Sequence, residues 1–247
     1  MASSVPALRA EHVTHAFGPV RALDDVSLTV ERGECVALVG ESGSGKTTLL
    51  TCFNRLLRPD RGRVWSNGED VSTLDPHRLR RSIGYVPQEG GLLPHWSVLR
   101  NAATVPWLLG RPDAEAAARD ALDLVGLPAS GFGERFPGEL SGGQRQRAAF
   151  ARALAARPDV LLLDEPFGAL DAITRAEQQE AFGALRRRLQ VAALLVTHDL
   201  REAFLLADRI AVFRAGRIEQ EASAPVLAAQ PATPYVATLL HSAGLDA

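Results

Sequence analysis

Residues 40–47 read Gly40-Glu41-Ser42-Gly43-Ser44-Gly45-Lys46-Thr47 and fit the phosphate-loop pattern at every fixed position. The apolar run Cys35–Val39 before them predicts a strand buried on both faces, and a helix is predicted after them from Lys46 to Leu57. In such a loop the glycines let backbone N–H groups turn towards phosphate oxygens, Lys46 places a cation at the β- and γ-phosphates, and Thr47 ligates magnesium. The stretch therefore predicts binding of ATP or GTP.

A second element carries two acidic residues. The apolar run Val160–Leu163 predicts a buried strand that delivers Asp164 to its tip, where a carboxylate can hold magnesium through water and face Thr47. Glu165 is one residue further, so it points elsewhere and is placed to orient or deprotonate the attacking water. Such a pair also occurs as a helix cap or a solvated strand end. Its combination with the phosphate loop favours the catalytic interpretation.

Three single residues are further candidates, each with an alternative. Gln88 follows the strand-like segment Ile83–Val86 and could sense magnesium or water, although a lone glutamine is also common on a surface. His198 follows the apolar run Ala193–Val196 and could reach the γ-phosphate, although a lone histidine there often has no such role. Phe17 could stack on a nucleobase or be a core aromatic.

A second anion-seeking element lies in residues 140–147, which read Leu140-Ser141-Gly142-Gly143-Gln144-Arg145-Gln146-Arg147. A serine and a glycine pair open a predicted helix there. The first N–H groups of a helix lack partners within it, and the helix dipole adds partial positive charge. The chain thus has two separate elements suited to phosphate.

Composition sets loose limits on the class of protein. The 247 residues carry a net charge of −2, so no overall positive field favours nucleic acid or an anionic membrane as a partner. The cluster Arg186–Arg188 is predicted to be a solvated helix face, and Cys35 and Cys52 to be reduced structural thiols. The N-terminal residues lack the character of a signal peptide, and prolines interrupt the uncharged stretch 222–245, so no membrane span is expected.

The order of elements predicts an α/β fold. Strand patterns alternate with helices, except from about Gln88 to Ala156, where the pattern is helical, notably at Ser97–Val105 and Ala114–Val125. We therefore expect a P-loop core with a mainly parallel sheet, an N-terminal antiparallel β part and an inserted α-helical subdomain. Further short strands are predicted at Arg63–Ser66 and Ile210–Phe213.

The ordered motifs resemble the ATPase subunits of ATP-binding cassette (ABC) transporters over essentially the whole chain. The matching pieces are Gly40–Thr47, Gln88, Leu140–Gln144, Leu163–Glu165, Ala169–Asp171 and Thr197–Asp199. The resemblance implies that Gln88 is the Q-loop glutamine, Asp171 the D-loop aspartate and His198 the switch histidine. It also implies that Phe17 matches the adenine-stacking aromatic residue.

The resemblance further implies an ATPase that uses ATP and Mg²⁺. Glu165 would be the general base, and His198 and Lys46 would stabilise the developing charge. Magnesium would be held by Thr47, Gln88 and Asp164. The nucleotide would be bound by Phe17, Gly40, Glu41, Ser42, Gly43, Ser44, Gly45, Lys46, Thr47, Thr48, Gln88, Ser141, Gly142, Gly143, Gln144 and Asp171.

In this family two cassettes pair head to tail, so that each ATP lies between the phosphate loop of one subunit and the Ser141–Gly143 region of the other. The resemblance therefore implies a second ATPase subunit, with a homodimer expected. ATP would hold the pair together and hydrolysis would release it.

Details after Gln88 resemble the importers of glycine betaine, choline and proline, a group of osmoprotectants. The matching segments are Ile83–Trp96, Asn101, Val105–Gly110 and Phe167–Arg175. Polyamine, amino-acid and sugar importers contain similar segments and remain alternatives, as does a non-transport ABC protein acting on nucleic acid or the ribosome.

The resemblance implies a location at the cytoplasmic face of a membrane. There the chain would dock on a separate permease near Gln88–Trp96, and a substrate-binding protein would supply that permease. Residues 1–88 and 157–220 are expected to form the P-loop core, residues 89–156 the helical subdomain with the signature motif, and residues 221–247 a short helical tail. Many osmoprotectant cassettes continue into regulatory domains, and none is expected here.

Overall fold

The computed structural model describes residues 5–246; the first four residues, part of the stretch tested for a signal peptide, and Ala247 lie outside the described residues. The strands are β1 (Leu8–Phe17), β2 (Val20–Val30), β3 (Cys35–Val39), β4 (Arg61–Ser66), β5 (Glu69–Asp70), β6 (Ile83–Val86), β7 (Val160–Asp164), β8 (Ala192–Thr197), β9 (Arg209–Arg214) and β10 (Arg217–Ala222). The helices are α1 (Lys46–Phe53), α2 (Pro76–Ser82), α3 (Val98–Leu108), α4 (Ala114–Leu124), α5 (Ala129–Phe132), α6 (Gly142–Leu154), α7 (Ala172–Leu189), α8 (Leu200–Leu206), α9 (Ala224–Ala229) and α10 (Pro234–Ala243).

The chain divides into two compact units. Unit 1 comprises the described residues up to Leu79 and from Gln190 onwards, and unit 2 comprises Arg80–Leu189. The division predicted from the sequence, with a helical subdomain at residues 89–156 and a tail at 221–247, stays a prediction.

Unit 1 contains two β-sheet parts. Strands β2, β1, β4 and β5 pair antiparallel in that order, and β10, β9, β3 and β8 are neighbours in that order. Strand β3 is parallel to β8 and β9, with Val39 opposite Thr197 and Val212. All five residues of β3 are buried, as expected for a continuous apolar run covered on both faces. The carboxyl end of β3 therefore opens between two parallel neighbours.

Unit 2 contains a parallel strand pair and a helical part. Strand β6 runs parallel to β7, with Val86 opposite Leu163. Helices α3, α4 and α6 enclose an apolar core to which each contributes leucine or alanine side chains, among them Leu99, Leu122 and Ala148. Helix α4 buries its alanine-rich face there and exposes its charged face, the pattern of an amphipathic helix.

The predicted α/β fold class is confirmed, but two local predictions were wrong. Helix α1 ends at Phe53 and not at Leu57, because Arg55 takes a left-handed backbone conformation (φ 56°) and Asn54 accepts the N–H of Leu56 at 3.1 Å. Arg186 is buried within α7, four residues after Phe182 on the same helix face, so the arginine cluster is a solvated face only at Arg187 and Arg188.

Both cysteines are free and buried, as predicted. Burial raises the pKa of Cys52 to about 12, so this thiol stays protonated at neutral pH. Among the described residues, no helix combines the length and the apolar character that crossing a bilayer requires.

Candidate functional site

The phosphate loop lies between β3 and α1, and glycine is required at two of its positions. Gly40 has φ 152°, and a Cβ atom there would lie 2.2 Å from the carbonyl oxygen of Phe213. Gly45 has φ 107°, and a Cβ atom there would lie 2.3 Å from the carbonyl oxygen of Ala22. Any side chain would displace the main chain at both positions. The glycines thus let the loop pack against β9 and β2.

Lys46 is buried and folds back over its own loop. Its ammonium group donates to the carbonyl oxygens of Gly40 at 2.8 Å and Glu41 at 2.7 Å, and it lies 3.3 Å from the hydroxyl oxygen of Ser44. These contacts hold a cation at the centre of the loop. Thr47, the next residue, is exposed on the first turn of α1. The loop therefore presents a fixed cation and, beside it, an exposed threonine, which are the groups that a polyphosphate with a divalent cation requires.

His198 lies at the same sheet edge as the phosphate loop. It directly follows β8, whose last residue, Thr197, is opposite Val39, and Gly40 comes next after Val39. The hydroxyl of Thr197 accepts the N–H of Asp199 at 3.0 Å, and Asp199 in turn accepts the N–H of Arg201 and caps α8. His198 is exposed, and the hydrogen bonds of Thr197 and Asp199 hold the turn in which it lies.

Phe17 ends β1 and is 55% exposed, which excludes the alternative that it is a core aromatic. Its ring meets the ring of His15 edge-on, with centroids 4.7 Å apart and planes at 83°. The Phe17 side chain is thus accessible to a ligand.

In unit 2, Asp164, Glu165 and Gln88 lie at the carboxyl ends of β7 and β6. Asp164 is 7% exposed, and its carboxylate adds to the effect of burial in raising the pKa of Tyr85 on β6. The side-chain amide of Gln88 donates to Oε2 of Glu165 at 3.2 Å. Glu165 has a left-handed backbone (φ 46°), so the extended path of β7 ends at Asp164. The structure thus joins two predicted site residues that lie 77 positions apart.

Ser141 caps α6 through a reciprocal pair of hydrogen bonds. Its hydroxyl accepts the N–H of Gln144 at 3.3 Å, and the Gln144 side chain accepts the N–H of Ser141 at 2.9 Å. Gly142 and Gly143, between Ser141 and Gln144, take no part in the hydrogen bonds of this capping box. Ser141 is exposed, so the positive end of the α6 dipole is accessible.

Asp171 has a structural role that the sequence analysis missed. Its carboxylate accepts the N–H of Thr174 at 3.1 Å and so caps α7. This hydrogen bond holds the pKa of Asp171 below its usual value. A residue expected at the nucleotide therefore also fixes the start of a helix, as Asp-x-x-Thr spacing before an apolar pattern could have suggested.

Asn101 is a second residue whose role the sequence alone does not give. It is fully buried on α3, accepts the N–H of Leu93 at 2.7 Å, and donates to the carbonyl oxygens of Leu93, Trp96 and Ser97 at 3.0–3.1 Å. Its amide therefore fixes the segment Leu93–Ser97, which follows the Gln88 turn. A polar residue on the buried face of a helix was the available signal.

The glycine-dependent loop after a buried parallel strand, with Lys46 at its centre, defines a nucleoside-triphosphate-binding protein of the P-loop class. Residues 23–168 match the ABC transporter family, and the chain belongs to that family.

Curated relatives of this chain are import proteins. It is 45% identical to the osmoprotectant import ATP-binding protein OsmV of Salmonella typhimurium, over 94% of this chain and 63% of that protein. It is 42% identical to the glycine betaine uptake system ATP-binding protein YehX of Escherichia coli, over 91% of this chain and 73% of that protein. The sulfate/thiosulfate import ATP-binding protein CysA of Bordetella parapertussis is 47% identical over 89% of this chain and 63% of that protein. The chain thus spans about three fifths of the length of several of the curated relatives that it matches.

Solved structures share the fold. The dimeric structure of MJ0796, a bacterial ABC transporter cassette, superposes with a TM-score of 0.79 at 32% identity, over 87% of this chain and 98% of that one. A dimeric post-hydrolysis state of MJ0796 bound to ADP and Pi superposes with a TM-score of 0.77.

Proposed function

We propose that this chain is the ATP-hydrolysing subunit of an ABC importer and that it drives uptake of a quaternary amine or related osmoprotectant through a separate membrane permease. The observation that carries the ATPase assignment is the phosphate loop, in which Lys46 is buried over the carbonyl groups of Gly40 and Glu41. The named relatives and the segment after Gln88 support the transport assignment. The protein would act at the cytoplasmic face of the membrane.

The donor set suits Mg²⁺. Thr47 offers a hydroxyl oxygen, Asp164 a buried carboxylate and Gln88 an amide oxygen, and hard oxygen ligands are those that Mg²⁺ prefers. When bound, the ion would neutralise charge on the β- and γ-phosphates. In the proposal Thr47, Gln88 and Asp164 hold it, Asp164 through water.

The roles of the polar side chains follow from their chemistry. Lys46 and His198 stabilise charge on the γ-phosphate, and Glu165 accepts a proton from the attacking water. The Gln88 amide, which bonds Glu165, orients that carboxylate. Phe17 stacks on the adenine. The remaining loop residues, from Glu41 to Thr48, contribute backbone and hydroxyl groups to the phosphates.

The second phosphate-seeking element is explained by a dimer. We assign the accessible start of α6, with Ser141–Gln144, to the ATP bound by a second copy of the chain, and Asp171 to the same contact. The α6 dipole favours γ-phosphate charge that disappears on hydrolysis, so ATP would hold the pair together. The dimeric MJ0796 cassette supports this arrangement.

The variant Glu165→Gln tests the catalytic assignment. It keeps the size of the side chain but removes the base, so ATP affinity should stay within about twofold, phosphate release should fall by at least ~100-fold, and an ATP-bound dimer should accumulate. Equilibrium ATP binding, phosphate release and size-exclusion chromatography with ATP measure the three quantities. Glu180→Gln, an exposed glutamate on α7, is the matched control. Wild-type turnover in Glu165→Gln would refute the role of Glu165.

Transport is tested with the cognate permease and binding protein in vesicles. ATP-dependent uptake of labelled glycine betaine, with no uptake of sulfate, would support the proposal. Uptake of sulfate instead would favour the second candidate, an importer of another solute, which the similarity to CysA supports. Co-purification with ribosomes or DNA, and not with a multispanning permease, would refute the transport assignment.

A further inference from the structure

The turn after Gln88 has an unusual main-chain path. The N–H of Gly90 donates to the carbonyl oxygen of Pro87 at 2.8 Å, which closes a tight turn around Gln88. Gly90 and Gly91 both have positive φ, 71° and 63°. Two consecutive left-handed residues leave the carbonyl groups of the turn without the partners that a strand or helix would supply. Those carbonyl groups need donors from elsewhere.

Arg152 supplies these donors from the last full turn of α6. Its Nη2 donates to the carbonyl oxygen of Gly90 at 2.9 Å, and its Nη1 donates to the carbonyl oxygen of Gly91. The planar guanidinium therefore bridges two successive carbonyl groups, which a lysine ammonium cannot match in geometry. Ala149, one turn earlier on α6, lies 3.6 Å from the position of a Cβ atom on Gly90. The turn is thus bonded to α6 and packed against it.

We propose that Arg152 is a positioning residue: by holding the Gly90–Gly91 main chain against α6, it sets where the Gln88 amide meets the Glu165 carboxylate. The guanidinium bonds the carbonyl groups of Gly90 and Gly91, two and three residues after Gln88, so it acts on the Gln88–Glu165 contact through the main chain of the turn.

The contact of Arg152 with the carbonyl groups of Gly90 and Gly91, called the clamp below, lies at one end of α6, and Ser141 lies at the other. Ser141 caps the first turn of that helix, and Arg152 lies eleven residues later, about 16 Å along the axis. A helix of this length moves as a rigid element, so a displacement at Ser141 would shift the Gln88 turn with it. This step rests on the proposed function, in which Ser141 contacts ATP of the partner subunit and Glu165 is the base.

The variant Arg152→Met tests the clamp, because methionine keeps the apolar stem and a high helix propensity but removes both donors. ATP affinity should remain within about twofold, whereas kcat should fall by ~10-fold or more, as expected when a reacting group is displaced. Arg152→Lys should recover part of the loss. Arg119→Met is the control, since Arg119 lies on α4 in the same unit and its guanidinium bonds the exposed carboxylate of Glu115 at 2.7 Å, away from the Gln88 turn and from residues 140–147.

Hydrogen exchange of the amides at 88–91 gives a readout that does not need activity. Arg152→Met should speed this exchange by about tenfold or more while leaving exchange in β7 unchanged, and Arg119→Met should leave both unchanged. Unchanged exchange at 88–91 together with wild-type kcat would overturn the proposal. Wild-type protein without ATPase activity would refute the proposed function, yet the exchange experiment would still decide whether Arg152 holds the turn.

A second pair of variants keeps the test informative if Arg152→Met fails to fold. Gly91→Ala places a methyl group 2.8 Å from Cγ of Pro87 and 3.2 Å from Nη2 of Arg152, whereas Gly110→Ala meets nothing within 4 Å. The two glycines have nearly equal φ, 63° and 69°, so the backbone penalty is matched. Gly91→Ala should lower kcat and speed exchange at 88–91, and Gly110→Ala should do neither. Equal behaviour of the two variants would overturn the proposal.

Discussion

Replacing Asn101 by aspartate should destabilise the protein strongly although the side chain keeps its shape. In the wild type the amide nitrogen donates to three carbonyl oxygens at 3.0–3.1 Å. The variant keeps the oxygen that accepts the N–H of Leu93 but puts a second carboxylate oxygen, which cannot donate, among those three carbonyl oxygens. The amide nitrogen has two N–H groups shared among these three carbonyl oxygens, so their loss costs about 0.5–1.5 kcal/mol for each N–H, or roughly 1–3 kcal/mol in total. Asn101 is fully buried, so desolvation of the new carboxyl group adds to this cost. We expect a loss of about 2–5 kcal/mol in the free energy of unfolding.

Urea unfolding followed by circular dichroism measures this change, and thermal melting should show a decrease of about 4–20 °C for a chain of this size. Thr104→Ala is the control on the same helix, because its hydroxyl makes one exposed bond, to the carbonyl oxygen of Arg100. The control should change the free energy by about 0.5 kcal/mol or less. Asn101→Asp with a stability within that range would refute the account of how the segment Leu93–Ser97 is held.

Three further outcomes are expected. Lys46→Ala removes the cation at the centre of the loop and should weaken ATP binding by at least ~10-fold in calorimetry; unchanged affinity would contradict the loop assignment. Ser141→Arg should leave ATP binding by the monomer within about twofold but prevent ATP-dependent pairing in size-exclusion chromatography, and a dimer that still forms with ATP would argue against the composite site. Burial raises the pKa of Glu221, an effect that Arg209 opposes and Glu34 strengthens, so the folded state disfavours the charged form. Ionised Glu221 therefore destabilises the folded wild-type protein at neutral pH; this cost diminishes as pH falls through the raised folded pKa and is absent below the unfolded value of about 4.3. Glu221→Gln should be more stable than wild type near pH 7.5, with the difference shrinking towards pH 4 in urea titrations. A difference independent of pH would refute this.

The sequence predicted those features that depend on local pattern. A continuous apolar run marks β3, β7 and β8 because a buried parallel strand needs apolar side chains on both faces. The phosphate loop is equally local, since its glycines are required by the path of its own backbone. These patterns sufficed for the fold class, for the position of the loop and for the placement of His198 beside it.

Features that depend on contacts between distant residues were not predictable. Arg152 meets Gly90 and Gly91 across more than sixty positions, and nothing in the neighbourhood of either partner specifies the other. Three arginines in a row suggest a polar face, whereas the helical spacing of Arg186 after Phe182 places it inside. The end of α1 at Phe53 depends on a left-handed arginine, for which the sequence carries no recognised signal.

In the proposed function, the left-handed backbone of Glu165 sets stability against catalysis at one position. A non-glycine residue in this conformation costs roughly 1–3 kcal/mol, and glycine or asparagine adopts it at a lower cost. A library of this protein selected for heat resistance alone should therefore accumulate glycine or asparagine at position 165, and such survivors would fold better while losing the carboxylate. Retention of glutamate there in an evolving population would thus report selection on turnover and not on folding.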